Sequence, residues 1–158
     1  MSTATSAPLA GHTVLVTGGA RRVGAAIVRS LHECGAHVAI HCHHSVKEAH
    51  ALAGELNALR AASAAVFTAD LLDIEQLPAL ASAVLERFGR LDVLVNNAST
   101  FYPTPLGTIQ PAQWADLMGS NLKAPLFLAQ AAAPALRAAR GLLINIADIH
   151  GLRPLRDY

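Results

Sequence analysis

The sequence has little excess charge, few cysteines and no long apolar run, and each shortage excludes a class of protein. Its formal net charge is +1 over 158 residues, so it offers no basic field for nucleic acid. No apolar run is long enough to span a bilayer, and the N-terminus lacks a charged region followed by an apolar signal segment. Two cysteines cannot form a disulfide framework. We therefore expect a cytoplasmic protein that binds neither nucleic acid nor a membrane.

The chain is rich in hydrophobic residues, which make up 53% of it and follow a repeating pattern. Short β-type runs alternate with longer stretches of helical periodicity, which indicates a parallel sheet with crossover helices. Strands are predicted at residues 13–17, 37–41, 64–69, 91–96 and 141–147. Helices are predicted near residues 21–34, 45–60, 73–88 and 111–138, the last bent or interrupted at Pro125 and Pro134.

This order of elements predicts one α/β domain over residues 12–158, a Rossmann-type doubly wound parallel sheet. Residues 1–11 are small and polar, and we expect them to be a flexible leader outside the fold. In a doubly wound sheet, ligands bind at the carboxyl ends of the strands, where the strand order reverses. The functional residues should therefore follow strand ends.

An apolar strand that runs into a glycine turn is the most informative feature of the chain. Residues 14–17 are β-formers without polar alternation, as expected of a strand covered on both faces. Gly18 and Gly19 permit a tight turn and the close approach of a pyrophosphate to free N–H groups of the next helix, and Gly24 lets that helix pack on the strand. The spacing does not match the common Gly-x-Gly-x-x-Gly. An ordinary strand-to-helix turn is the alternative interpretation.

Residues 17–24 read Thr-Gly-x-x-x-Arg-x-Gly, a motif that resembles the short-chain dehydrogenase/reductase family. Most members carry a glycine where this chain has Arg22, and the arginine resembles the pteridine reductase branch. The resemblance covers residues 12–158. It implies cofactor contacts by Thr17, Gly18, Arg22 and Val23.

The second predicted strand ends in histidines and a serine, where an NAD-dependent enzyme usually presents an acidic side chain to the ribose hydroxyls. Because no carboxylate repels a 2′-phosphate there, NADPH is favoured over NADH, and Arg22, His44, Ser45 and Lys47 are placed to surround that phosphate. Pteridine reductases have a similar His-x-His-x-Ser, which implies that His41 and His43 also contact the cofactor. An arginine is usual at the position of His44, so the phosphate affinity should depend on pH here.

A metal site is the alternative interpretation of the same segment. Its ligands would come from His41, Cys42, His43, His44 and His50. Adjacent residues at a strand end point in different directions, and no second Cys/His pair completes a tetrahedron. We therefore expect no metal.

Two further strand ends carry family-like residues. The family places an adenine contact at Asp70 and Leu71, although a helix-capping role for Asp70 is equally open. Asn-Asn-Ala-Ser at residues 96–99 closely resembles the family's Asn-Asn-Ala motif, which borders the adenosine ribose and ties neighbouring strands together. This implies that Asn97 and Ala98 lie beside the cofactor, with Ser99 in reach of both the cofactor phosphate and the substrate.

The loop over residues 99–106 has two aromatic side chains, Phe101 and Tyr102, that something must cover. In pteridine reductases, a phenylalanine of this loop forms one wall of a slot whose other wall is the nicotinamide ring. The resemblance assigns that wall to Phe101, because stacking holds a planar heterocycle. The alternative is that both aromatic side chains anchor the loop on the core.

The resemblance also implies two catalytic positions. Asn121 matches a helix asparagine that helps to hold a proton-relay water near a catalytic lysine. Asp148 follows the fifth strand, where most short-chain reductases have a serine and the pteridine reductase branch has an aspartate. We expect its carboxyl group to be buried beside the cofactor, to pair with pterin ring donors or to relay a proton. A capping role for Asp148 is the alternative.

The family's proton donor is a Tyr-x-x-x-Lys pair, and no lysine follows Tyr158. We therefore expect the N-terminal portion of an NADPH-dependent pteridine reductase that is inactive as it stands and forms a homo-tetramer at full length. The implied reaction is hydride transfer from nicotinamide C4 to a C=N bond of dihydropterin or dihydrofolate. A short-chain carbonyl reductase of 3-oxoacyl thioesters and a non-catalytic dinucleotide-binding fragment remain alternatives.

Overall fold

The computed structural model describes residues 7–153, 155 and 156, and five strands of this part form one parallel sheet. The strands are β1 (Thr13–Val16), β2 (His37–Cys42), β3 (Ala64–Thr68), β4 (Val93–Asn96) and β5 (Leu142–Asn145). They lie in the order β3-β2-β1-β4-β5. The order therefore reverses at β1 and β4, where a doubly wound sheet opens its ligand crevice. The Rossmann-type fold predicted from the sequence is confirmed.

Five α-helices connect or flank the strands in the described part of the chain. They are α1 (Arg22–Glu33), α2 (Val46–Leu59), α3 (Gln76–Phe88), α4 (Pro111–Met118) and α5 (Ala124–Ala139). A π-helical turn over Gly119–Lys123 separates α4 from α5, and a 3-10 turn covers Ile149–Gly151. None of the described helices has the length and apolar character needed to cross a membrane.

The long helix predicted over residues 111–138 is interrupted, but by the π-helical turn and not at a proline. Pro125 lies in the first turn of α5, directly after the π-helical turn. Pro134 lies inside α5, which continues to Ala139.

The core occupies both faces of the sheet, which explains why β1 is apolar without alternation. Val14 and Val16 pack with side chains of α1 and α2, whereas Leu15 between them packs with side chains of α3 and α5. All three are fully buried. β5 differs, because it lies at the end of the sheet order and Leu142 is 62% exposed.

Part of the expected leader is packed on the domain. The N–H of Leu9 donates to the carbonyl of Cys34 at 2.9 Å, and the Leu9 side chain contacts the core beside α1. Over residues 7–11 the chain therefore differs from the flexible segment that the sequence predicted.

The carboxylate of Asp92 joins the starts of β1 and β4. It accepts hydrogen bonds from the Thr13 N–H and from the Arg90 guanidinium, each at 2.8 Å, and its side chain is 3% exposed. Burial by itself would raise the pKa of Asp92, but the hydrogen bonds from Arg90 and Thr13 outweigh it and lower the pKa. The stabilisation is therefore present above the ordinary value of 3.8 and is lost as the pH falls below it.

We expect Asp92→Ala to lower the free energy of unfolding at neutral pH by about 3 kcal/mol, because it leaves a buried N–H without its acceptor. Urea unfolding measures the loss. Glu55→Ala is the control, since Glu55 forms an exposed ion pair with Arg29 that should contribute little. Equal losses in the two variants would contradict the structural role of Asp92.

Candidate functional site

The turn between β1 and α1 leaves no room for side chains at two glycines. Gly18 has φ +61°, and a β-carbon there would lie 3.0 Å from the Cα of Ala98. A β-carbon on Gly24 would overlap the carbonyl group of Gly18 and lie 2.7 Å from Asn97 Nδ2. The start of α1 is thus pressed against the ends of β1 and β4. Its first N–H groups, including those of Arg22 and Val23, have no partner within the helix and can bind an anion.

Thr17 and Asn97 fix this turn to the end of β4. The Thr17 hydroxyl oxygen accepts from the N–H groups of Asn97 and Ala98 at 2.9 and 3.0 Å. The Asn97 amide donates to the carbonyls of Thr17 and Gly18 at 2.9 and 3.2 Å. Thr17 is 2% exposed, and its hydroxyl, its carbonyl and its N–H all have hydrogen-bond partners within the protein, so Thr17 supports the turn of the predicted cofactor site.

His41 lies behind the glycine turn and not on its surface. It is 2% exposed, its Nδ1 is 3.2 Å from the Gly18 nitrogen, and its Nε2 is 3.1 Å from the Ala69 carbonyl oxygen. Burial lowers the pKa of His41, the hydrogen bond to Ala69 opposes this, and nearby His43 lowers the pKa further. The sequence predicted that His41 contacts the cofactor. The structure corrects this to a support for the turn, because both ring nitrogens are engaged within the protein.

Arg22 begins α1 in a left-handed conformation, with φ +51°. This explains why glycine is usual at this position, since a β-carbon strains that region of φ. The Arg22 side chain is exposed and has no ion pair or hydrogen bond with any described residue. The neighbouring Arg21 is instead 3.6 Å from Glu48. Val23, the next residue of α1, has a side chain that is 61% exposed.

The histidines after β2 lie at the surface beside this turn. The rings of His43 and His44 stack with centroids 3.7 Å apart, and His43 Nδ1 is 3.8 Å from Asp70 Oδ1. Ser45 is half-buried at the N-cap of α2. Within the described part of the chain, no group of three or more His, Cys, Asp or Glu side chains is arranged to hold a metal ion.

Asp70 stabilises its own loop. Its Oδ1 accepts from the Leu72 N–H at 3.0 Å, and its N–H donates to Gln76 Oε1 at 3.2 Å. The capping role considered for it is not observed, because the N-cap of α3 is Glu75. Leu71 is buried in the core, so its side chain is turned away from the surface, and only its backbone can serve the predicted adenine contact.

Asn121 lies in the π-helical turn and pins the loop after β4. Its Oδ1 accepts from the Thr100 N–H at 3.0 Å, and its Nδ2 donates to the Thr100 carbonyl at 2.8 Å. The amide group therefore positions the segment between Ser99, which is exposed, and Phe101. The sequence did not predict this turn, although π-bulges are frequent at functional sites. Gly119, which begins this turn, was the available signal, because glycine is unfavourable inside a helix.

The two aromatic residues of this loop have different roles. The Tyr102 hydroxyl donates to Asp116 Oδ2 at 3.0 Å and anchors the loop on α4. Burial and then Asp116 raise the pKa of Tyr102. Phe101 is 57% exposed, and its ring is parallel to that of His150, with centroids 6.4 Å apart and planes at 7°. The anchoring interpretation therefore fits Tyr102, whereas Phe101 is partly exposed and contacts the chain after β5 through His150.

Asp148 is exposed, which corrects the expectation of a buried carboxyl group. Its side chain is 60% exposed, and Oδ1 accepts from the His150 N–H at 2.9 Å. This is the capping role considered as its alternative. The chain after β5 nevertheless comes beside the Phe101 loop, through the contact between Phe101 and His150. Tyr158 lies outside the described residues.

Together, the strand order, the glycine turn at the reversal point and the helix N-terminus beside it define a dinucleotide-binding α/β domain. A family model described as short chain dehydrogenase matches residues 12–158. The chain belongs to the short-chain dehydrogenase family, as the sequence predicted.

Known relatives differ in substrate. The chain is 36% identical to pteridine reductase 1 of Leishmania tarentolae, over 100% of the chain and 66% of that protein. It is 34% identical to a 3-oxoacyl-(acyl-carrier-protein) reductase of Staphylococcus aureus, over 88% of the chain and 56% of the relative. L-fucose dehydrogenase of Oryctolagus cuniculus is 38% identical, over 94% of the chain and 50% of that protein. The chain thus spans between half and two thirds of the length of these relatives.

A solved structure, a metagenomic short-chain oxidoreductase in complex with NADP, superimposes with a TM-score of 0.87 at 40% identity. It covers 95% of this chain, and this chain covers 68% of it.

Proposed function

We propose that this chain forms the NADPH-binding part of a pteridine reductase, which transfers hydride to a C=N bond of dihydropterin or dihydrofolate. The main observation is Arg22, which stands in a strained conformation at the anion-binding start of α1 with no partner among the described residues. An arginine kept where glycine would fit without strain is explained by a ligand phosphate. The similarity to pteridine reductase 1 and the NADP-bound neighbour agree with this proposal.

The described residues fit this cofactor. The N–H groups at the start of α1 would hold the pyrophosphate, and Arg22, His43, His44 and Ser45 would surround the 2′-phosphate. The backbone of Asn97 and Ala98 would border the ribose. Asp70 keeps its Oδ2 for the adenine amine, since its turn uses Oδ1. When bound, NADPH supplies the hydride from C4 of its nicotinamide.

The substrate would lie against Phe101, whose exposed ring offers a flat face for stacking a pterin. Asn121 keeps this ring in place by holding Thr100, which limits the orientations of the substrate. Asp148 offers an exposed carboxylate oxygen to the amino and ring N–H groups of the pterin. Its Oδ1 accepts the His150 N–H, so Oδ2 is the atom left for this hydrogen bond.

Reduction of a 3-oxoacyl thioester is the second candidate, because relatives with that activity are nearly as similar to the chain. The two candidates differ in what they require of Asp148 and Phe101. The 3-oxo ketone of such a thioester, which is the group that is reduced, needs a hydrogen-bond donor, and the Asp148 carboxylate cannot donate.

The test is NADPH oxidation with dihydrobiopterin and with a 3-oxoacyl thioester, on this chain and on the gene extended through the downstream reading frame. Calorimetric titration of NADPH and NADH accompanies it. We expect NADPH to bind more tightly than NADH, and we expect the product of the extended gene to reduce the pterin. Reduction of the thioester alone would replace the proposed substrate, and equal affinities for the two cofactors would remove the 2′-phosphate site.

In the enzyme produced from the extended gene, we expect Phe101→Ala to raise the KM for a dihydropterin about fivefold and to leave the KM for a nonplanar ketone unchanged, because only a flat ring loses a stacking partner. Leu106→Ala is the matched control, since Leu106 lies in the same loop and is 96% exposed. Steady-state kinetics with both substrates measure the difference. Similar increases for pterin and ketone would mean that Phe101 acts on loop structure and not on the substrate.

A further inference from the structure

The buried ring of His41 joins the ends of three strands. It stands near the end of β2, Gly18 follows β1, and Ala69 follows β3. The His41 carbonyl also accepts the Gly19 N–H at 2.9 Å, so its main chain and its side chain both hold the glycine turn. A backbone N–H can only donate, so the ring nitrogen facing Gly18, Nδ1, must accept. In the neutral ring, Nε2 therefore carries the proton and donates a hydrogen bond to the Ala69 carbonyl.

We propose that neutral His41 is a positioning residue for the phosphate-binding turn, and that its protonation releases Gly18 and weakens the binding of any dinucleotide. The inference rests on the proposed function in one respect, namely that a dinucleotide binds at this turn.

The physical reason is a conflict between two donors. A protonated imidazole carries hydrogens on both nitrogens, so Nδ1–H would face the Gly18 N–H at the present distance of 3.2 Å. Gly18 has little space in which to adjust, because it is closely packed on Ala98 at φ +61°. The turn must therefore move, and the N–H groups at the start of α1 would move with it.

The surroundings of His41 decide the pH range. The segments that adjoin His41 carry the charged or titratable residues Arg21, Arg22, Cys42, His43, His44, Lys47, Glu48, Asp70 and Asp73. Burial is the largest influence on the pKa of His41 and lowers it, and His43 lowers it further. The neutral form is therefore complete above the ordinary value of 6.5, and binding should weaken only as the pH falls below 6.5.

The exposed histidines have the opposite effect on binding. Protonation of His43 or His44 adds positive charge beside a 2′-phosphate, so it strengthens the binding of NADP⁺ at low pH. NAD⁺ has no such phosphate and should not gain from this added charge. The two cofactors therefore separate the contributions, and both oxidised forms are stable in acid.

The experiment measures dissociation constants of NAD⁺ and NADP⁺ by calorimetry at about pH 7.5 and about pH 5. For the wild-type protein we expect the affinity for NAD⁺ to fall at the lower pH as His41 is protonated, by up to about tenfold once protonation is complete. His41→Asn supplies an acceptor for Gly18 that cannot be protonated, so its affinity should change less than about twofold. The control is His37→Asn, on the same strand, where burial also lowers the pKa of the histidine. The affinity of this variant for NAD⁺ should fall at the lower pH as much as that of the wild-type protein.

A second measurement needs no variant and no cofactor. Imidazole ¹⁵N spectra of the wild-type protein should show Nδ1 without a proton at about pH 7.5, and the Gly18 amide signal should shift as His41 titrates. The proposal would be overturned if Nδ1 carried a proton at about pH 7.5, or if the Gly18 amide signal did not shift as His41 titrates. It would also be overturned if His41→Asn lost as much affinity for NAD⁺ at the lower pH as the wild-type protein does. If neither cofactor binds at about pH 7.5, the proposed function fails together with the affinity claim, whereas the spectra still decide the role of His41 at Gly18.

Discussion

Replacing Arg22 by glycine is expected to make the protein more stable and its binding of NADPH weaker. Arg22 has φ +51°, a conformation that costs a residue with a β-carbon about 1 to 2 kcal/mol. Glycine removes this strain, but its greater flexibility in the unfolded chain destabilises the protein by about 0.5 to 1 kcal/mol. The net gain in the free energy of unfolding should be about 0.5 kcal/mol, measured by urea unfolding.

The loss of NADPH affinity should be much larger than this gain. A hydrogen bond between a guanidinium group and a phosphate contributes about 1.5 to 3 kcal/mol, which corresponds to about 10- to 150-fold in the dissociation constant. NADH has no 2′-phosphate, so its affinity should change less than about twofold. Calorimetric titration of both cofactors measures the two effects on one preparation.

Arg140→Gly is the matched control. Arg140 is also an exposed arginine with a positive φ, +52°, and it ends α5 at a position where glycine is usual. This variant should show a similar gain in stability with no change in the binding of either cofactor. Equal losses of NADPH and NADH affinity in Arg22→Gly would contradict the phosphate contact. A loss of stability in Arg22→Gly would show that the arginine serves the fold.

The fold was predictable because most of it follows from apolar runs and glycines. β1 is buried by helices on both faces, so its sequence has no polar alternation, and β2 and β4 are apolar for the same reason. The break near residue 119 was not predictable in position, because a π-helical turn depends on tertiary packing. In the sequence, Gly119 is the residue that marks it, because glycine is unfavourable inside a helix.

The site was predictable as a set of strand ends but not in the direction of each side chain. His41 and His43 look alike in the sequence, yet one is buried under the glycine turn and the other is exposed. Asp148 was expected to be buried, but the carboxylate caps a 3-10 turn at the surface. A polar residue at a strand end satisfies either a ligand or a neighbouring backbone group, and the sequence contains no signal for the choice.

Gly24→Ala is expected to lower both the stability of the protein and its affinity for either cofactor. The added methyl group would overlap the Gly18 carbonyl and press on the Asn97 amide, and neither is the free end of a flexible side chain. The start of α1 must therefore move away from β1, which should lower the free energy of unfolding by about 3 kcal/mol. Because the N–H groups of α1 move with it, affinities for NADPH and NADH should fall together. This common loss differs from the selective loss expected for Arg22→Gly.

Gly54→Ala provides the control for this variant. Gly54 also lies inside a helix, α2, but a β-carbon there would meet nothing within 4 Å. Alanine should therefore stabilise the protein by about 0.5 to 1 kcal/mol, as expected for a helix interior, and leave cofactor binding unchanged. Urea unfolding and calorimetric titration of the two variants measure the contrast. If Gly24→Ala were as stable as Gly54→Ala, the close packing of α1 on the turn would be wrong, and the proposed pyrophosphate site would lose its structural basis.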